Sequence, residues 1–360
     1  MEEAYGMESF FMRCYRRSLA VFLVLCGVNA VATGEDEPAG EPVAEDTTSA
    51  ESLWNLKTKT LGGRQFWGDV LYFRGWRIQQ NVLTRHYRLI DPADVRHAWG
   101  SLEACRAELD RIKVEQSLPP MQGKAVIVVH GIVRSSKSFG KLRQALEEDG
   151  YTVVGFDYPS TRVTIQQSAE FLHKVIESLE GIDEINFVVH SMGGLLVRTY
   201  LIEHCDHRIQ RMVMLGVPNH GANMANLMQT NPLFKLIYGP AGQQLVQGPE
   251  GFIAALPTPE FEFAVVAGAR GTPDGWNPLI AGDDDGTVEV TNTRLPGAAD
   301  FMTVNQVHSF LMTNPDAIAA TRRFLKTGAL REGGEREPIP LEEFGSQEAE
   351  VGISLSNPGL

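Results

Sequence analysis

The 360 residues are 43% hydrophobic, enough to bury a sizeable core, and they suit one large α/β domain with extensions better than two equal domains. A net charge of -13 argues against a nucleic-acid partner. Much of the acid falls in residues 34–51 and 331–350, whose composition is that of solvated tails.

Residues 1–32 read as an export signal. Arg13, Arg16 and Arg17 precede an apolar run over 19–28, and Ala30-Val31-Ala32 suits a signal peptidase. The run is short for a membrane span. Export to a secreted or periplasmic location, with cleavage after Ala32, is the expectation; a membrane anchor over residues 19–31 is the alternative. Lipidation at Cys26 is a third reading that the bulky Leu25 disfavours. An acidic linker over 33–52 follows. Once the signal is removed, Cys105 and Cys205 remain, and both a disulfide and two free thiols are open.

Residues 53–121 form an amino-terminal extension. Its first part is dense in aromatics and arginines, among them Trp67, Tyr72, Trp76, Arg77 and Arg88. It reads as a layer packed on a sheet edge, with arginine stems covering apolar surface; a lipid-facing surface in contact with a membrane is the second reading. Val95, Trp99, Leu102, Cys105, Leu109 and Ile112 then recur every three or four residues, which predicts a helix over 92–114 with Pro92 in its first turn.

Residues 122–328 alternate strand and helix patterns. An apolar run over 124–129 ends in His130-Gly131, and a helix is expected over 138–149. A strand over 151–156 runs into Asp157, and a second helix is expected over 164–179. Ile185, Phe187, Val188 and Val189 then suit a strand covered on both faces, and Leu196, Val197, Tyr200 and Leu201 return to helical spacing. Ser191 sits at the corner between them. So tight a turn strains the corner residue, pushes its side chain out at the carboxyl edge of the sheet, and points the Met192 N–H at any oxyanion formed beside it. This alternation predicts a mostly parallel sheet with helices on both faces.

A strand over 211–215 leads into Gly216-Val217-Pro218, and residues 222–256 change to short apolar helical pieces broken by Pro232 and Gly239-Pro240. That insertion is read either as a helical lid over an acyl pocket or as a packing layer. A strand over 261–267 precedes Asp283-Asp284-Asp285-Gly286, a strand over 301–304 precedes Val307-His308, and a helix over 316–325 closes the fold. Residues 329–360 lack periodicity and are expected to be disordered. No metal motif is present. His204-Cys205-Asp206-His207 falls at a helix end, where such residues cap or meet solvent.

The corner Val189-His190-Ser191-Met192-Gly193 resembles the nucleophile elbow of the α/β-hydrolase family, G-x-S-x-G, with valine in place of the first glycine. The order Ser191, Asp285, His308 resembles the order in which that family carries its nucleophile, acid and base. The resemblance, to bacterial lipase and esterase members, implies a serine ester hydrolase that works through an acyl-enzyme on small-molecule or lipid esters without a cofactor. Ile132 in the loop after the first strand would join Met192 in the oxyanion hole. His220 is the runner-up base and Asp157 a distant alternative acid. Asp283 and Asp284 are expected to face solvent or cap the turn, a calcium site being the alternative use of that run. An acyltransferase on the same residues, or a non-catalytic exported binding protein on the scaffold, are the rival functions.

Overall fold

The computed structural model describes residues 58–59, 64–222, 232–245 and 251–341. The expected signal (1–32), acidic linker (33–52) and far tail (342–360) lie outside them, as do Leu227 and Met228 of the insertion.

The aromatic, arginine-rich stretch forms antiparallel strands: β1 (Thr58–Lys59), β2 (Trp67–Phe73), β3 (Trp76–Asn81), β4 (Tyr87–Ile90) and β5 (Val95–Gly100), in the spatial order β1-β5-β4-β3-β2. Arg74 and Gly75, both at positive φ, make the tight turn that joins β2 to β3. Two of the arginines, Arg77 and Arg88, pack inward. Arg88 lies 4.0 Å over the Trp67 ring and donates to Gln79 Oε1, and Arg77 pairs with Asp157 and Asp94.

The helix expected over 92–114 is corrected. Residues 95–100 are strand β5, and α1 begins only at Leu102 (Leu102–Glu115), where the Ser101 hydroxyl accepts the Ala104 N–H. Pro92 belongs to the β4–β5 connection, in which the Asp91 carboxylate accepts the N–H groups of Ala93 and Val95.

The second sheet has six strands, all parallel: β6 (Gly123–Val129), β7 (Thr152–Phe156), β8 (Ile182–His190), β9 (Ile209–Leu215), β10 (Glu262–Ala269) and β11 (Asp300–Asn305), in the order β11-β10-β9-β8-β6-β7. Alternate side chains enter two cores. Ile127, Val129, Phe187, Val189 and Met214 join α3 (Ile165–Glu177) and α4 (Met192–Glu203) on one face. Val126, Val128, Val188, Val213 and Val266 join α2 (Gly140–Glu148) and α7 (Pro315–Thr327) on the other. Covering both faces requires strands that are apolar throughout, which is why these runs show little alternation.

Between β9 and β10 the described residues of the insertion include α5 (Pro232–Gln243), kinked at Gly239, and a 3-10 turn over Ile253–Ala255. A short α6 (Val290–Thr293) precedes β11. Residues 329–341 correct the expectation of a disordered tail from 329 onward. Leu330 and Glu337 donate backbone N–H groups to the buried Asp300 carboxylate, Arg331 pairs with it at 2.7 Å, and Ile339 is buried. Tertiary hydrogen bonds hold this segment without helix or strand.

Candidate active site

All six strands of the parallel sheet point the same way, so the loops after β6, β8, β9, β10 and β11 leave from one edge. Ser191 stands at the β8–α4 corner with φ 54 and ψ -132, a conformation only a constrained non-glycine residue holds. Val189, in the place of the family's first glycine, is fully buried among the strand and helix side chains, and the strained corner forms with it there.

Three of the side chains singled out by sequence order meet at this edge. Ser191 Oγ lies 3.0 Å from His308 Nε2, and His308 Nδ1 lies 2.6 Å from Asp285 Oδ2. A carboxylate only accepts, so Nδ1 carries the proton and Nε2 is free to accept from the serine hydroxyl. His308 is also fixed through its backbone: its N–H donates to the Asp285 carbonyl at 2.8 Å. Asp285 Oδ1 in turn accepts the Thr287 and Val288 N–H groups. Gly216, at φ 56, leaves room for the pair, since a Cβ there would stand 3.2 Å from both Asp285 Oδ2 and His308 Nδ1.

His190 supplies a further support. Its Nε2 lies 3.0 Å from the His308 carbonyl and must donate, which leaves Nδ1 buried without a partner. Burial, reinforced by the neighbouring His308, holds this imidazole well below its ordinary pKa and therefore neutral. The loop after β6 closes against the same group. A Cβ on Gly131 would stand 2.9 Å from Ser191 Cβ and 3.1 Å from His190 Nδ1, so only glycine lets this backbone come so near. Ile132 follows in that loop. Met192 is the first residue of α4, and its N–H has no acceptor within the helix.

The remaining candidates are engaged elsewhere. His220 lies after β9 and bonds through its backbone N–H to the Asn292 carbonyl. Asp157, at the end of β7, pairs with Arg77 and accepts the Ser136 N–H at 2.7 Å. Burial alone would raise the Asp157 carboxyl, but Arg77, His130 and the Ser136 N–H outweigh it and hold the pKa low. His130 stacks on Tyr158, whose hydroxyl donates to the His130 carbonyl at 2.6 Å; burial lowers its pKa.

Asp283 accepts the Arg270 and Gly271 N–H groups. Asp284, fully buried and not solvent-facing, accepts those of Asn277 and Gly286. With Asp285 turned to His308, this run spends its oxygens on backbone donors, a poor cradle for calcium. Among the described residues, the one group of three metal-type ligands is Glu170 on α3 with Glu203 and His204 at the end of α4; His204 stacks on His173 there. Cys105 is buried and Cys205 exposed, and both are free thiols.

Four polar side chains packed near this edge carry no sequence signal of their own partners. Gln65 and Ser160 bond each other, and Arg77 bonds Asp157, across long stretches of chain. Arg198 on α4 donates to the carbonyls of Leu256 and Pro257 and to Asn219 Oδ1, tying together the two ends of the insertion. Burial lowers its pKa to about 10.

Residues 124–262 match the family model of the alpha/beta hydrolase fold. The chain is similar to the human lysosomal thioesterase PPT2, with 26% identity over 205 residues covering 46% of this chain and 65% of the relative. It is also similar to PPT2-B of Xenopus laevis, with 29% identity over 106 residues covering 27% and 37% of the two chains. The chain thus spans less than two thirds of the length of these relatives. Among solved structures, the mature lipase BlEst2 of Bacillus licheniformis aligns over 58% of this chain and 93% of its own, at 20% identity and TM-score 0.44. The parallel six-stranded sheet, its helices on both faces and the family match over residues 124–262 make this chain a protein of the α/β-hydrolase fold.

Proposed function

We propose that the protein is a serine hydrolase of carboxylic esters working through an acyl-enzyme. The observation that carries this reading is the hydrogen-bonded series Ser191 Oγ, His308 Nε2, His308 Nδ1, Asp285 Oδ2, at 3.0 and 2.6 Å, on a serine held at positive φ. A serine hydroxyl is a poor nucleophile near neutral pH, so it needs a base in reach and a carboxylate to fix the base's tautomer. In the proposed cycle Ser191 attacks the ester carbonyl while His308 Nε2 takes its proton. The Met192 and Ile132 N–H groups hold the oxyanion. His308 returns the proton to the leaving alcohol, then activates water against the acyl-serine, and Asp285 stays ionised throughout.

A thioester in place of the oxoester is a second reading, favoured by the thioesterase relatives. It uses the same acyl-enzyme with a thiol as leaving group. Passing the acyl group to an alcohol instead of water would make the protein an acyltransferase. Small or lipid esters are the proposed substrates, and export is the proposed destination, supported by the basic and apolar pattern of residues 13–32. Among the described residues no helix is long and apolar enough to cross a membrane.

The test is a panel of p-nitrophenyl esters and acyl thioesters assayed with wild type, Ser191→Ala and His308→Ala. Labelling by a fluorophosphonate probe is followed in parallel. Wild type is expected to turn over at least one class. Ser191→Ala should lose probe labelling, and His308→Ala should lower kcat by at least about a thousandfold. Turnover that survives in both variants overturns the proposal.

A further inference from the structure

The loop after β6, which brings Gly131 against Ser191, contains a residue in an improbable conformation. Val133 has φ 62. A β-branched side chain rarely enters this region, and such strain, about 1–3 kcal/mol, persists only where the surroundings over-determine it. The surroundings come from the loop after β7 and from the turn over Arg64–Phe66 that leads into β2. The Val133 N–H donates to Ser160 Oγ at 3.0 Å, and the Ser160 hydroxyl donates to Gln65 Oε1 at 3.0 Å. Thr161 gives its hydroxyl proton to the same oxygen at 3.1 Å. Ser160 is fully buried and has one proton to give. By accepting that proton, Gln65 turns the lone pairs of Ser160 toward Val133.

A second tie runs in parallel. The Ser136 N–H, at the far end of the loop, donates to Asp157 Oδ1, and Arg77 on β3 holds Asp157 Oδ2 at 2.8 Å. Asp69 on β2 exchanges two further bonds with the Asp157 backbone. Gln65, Asp69 and Arg77 all lie outside the segment that matches the hydrolase family model, residues 124–262.

We infer that Gln65 is a positioning residue of the active site: acting through Ser160 and Val133, it sets the backbone that aims the Ile132 N–H at the oxyanion. The inference rests on the serine-hydrolase reading above and gives the amino-terminal extension a part in it. Ser160 is the relay. Arg77 and Asp157 hold the other end of the same loop.

The test uses the full chain and compares Gln65→Leu, Gln65→Glu, Ser160→Ala and the double variant Gln65→Leu/Ser160→Ala. Each is assayed for kcat and KM on the best ester, and for inhibition by a trifluoromethyl ketone, which forms a tetrahedral adduct on the serine. Gln65→Leu and Ser160→Ala should each lower kcat about tenfold to a hundredfold, less than outright loss of an oxyanion donor. KM should stay within about twofold, because the contact matters only once the oxyanion forms. Ketone inhibition should weaken by the same factor as kcat. Gln65→Glu, which keeps an acceptor, should restore most of it. The double variant should be no worse than Ser160→Ala alone, because both changes break one chain of contacts.

If Gln65→Leu fails to accumulate as folded protein, Ser160→Ala breaks the same link from the other side and carries the test. Normal kcat and normal ketone inhibition in the folded variant, or a change in KM alone, overturns the inference while wild type stays active and Ser191→Ala stays dead. A wild type without ester or thioester turnover and without probe labelling removes the hydrolase reading itself, and this inference with it.

Discussion

The base of the proposed reaction is held at four points, one by the serine, two by Asp285 and one, at its carbonyl, by His190. His190 hydrogen-bonds the His308 carbonyl and is kept neutral by burial and by its neighbour. Its contribution is therefore a fixed donor, with no titration of its own near neutral pH. His190→Leu removes this donor from the His308 carbonyl; kcat is expected to fall about tenfold or more. His190→Gln, whose amide N–H can reach the same carbonyl, should recover most of the loss. Equal activity in His190→Leu and wild type would show that the remaining three ties suffice. Ser191, Asp285 and His308 were legible because each sits in a turn with its own signature: a glycine-rich corner, an Asp-Gly turn, and a histidine just past a strand. His190 could be read only as part of the frame. The oxygen it serves belongs to a residue 118 positions away.

Between elements, α2 and α7 are clamped by a pair of arginine hydrogen bonds. Asp149, at the carboxyl end of α2, accepts Arg322 Nε and Nη2, both at 2.6 Å, with Lys326 alongside. The Arg322 hydrogen bonds lead in lowering the Asp149 carboxyl to about 2; partial burial opposes them and Lys326 assists. A carboxyl depressed in the folded state adds stability above its unfolded value of 3.8, and the gain is lost as pH falls toward 2. Asp149→Asn should lower stability at pH 7 by about 1–2 kcal/mol, a figure held down by the partial exposure of Arg322. Its deficit should shrink between pH 4 and pH 2. Thermal melts of both proteins at pH 7, 4 and 2 check this; a deficit that stays constant with pH would reject it.

The same scale shows where sequence reading ran out. Strands β6 to β11 announce themselves as apolar runs because both their faces are covered. In β5, by contrast, Val95 and Trp99 lie four apart, a spacing that fits a helix as well as one face of a strand. Pairing with β4 and β1 decides the matter, and pairing partners are not visible in a single window. The local cue was Gly100 at φ 134 followed by the capping Ser101.

Across the whole molecule, the appended sheet and the hydrolase-type sheet share a buried polar seam. Asp69, Gln79, Arg77 and Arg88 meet Asp157 there, and burial, ahead of the opposing pull of Arg77, pushes the Asp69 carboxyl up to about 7. No periodicity could have revealed this seam, since Gln65 and Ser160 are 95 positions apart. Composition did reveal the raw material, a run of arginines and aromatics too dense for an idle linker.

The opposite flank of the parallel sheet ends in β11, which has β10 on one side and, among the described residues, no strand on the other. Residues 329–341 lean on its entrance: Ile339 exchanges backbone bonds with Gly297 and Ala298, and Asp300 gathers Leu330, Arg331 and Glu337. A bare rim of this kind is a template on which another copy can dock strand to strand. Trimming the chain after Gly328 would strip that guard and take the Leu330, Arg331 and Glu337 donors from the Asp300 carboxylate, leaving it the Phe301 N–H. Such a shortened protein should elute from a sizing column as a series of self-associated species, whereas a cut after Leu341 should leave the elution profile of the whole chain unchanged.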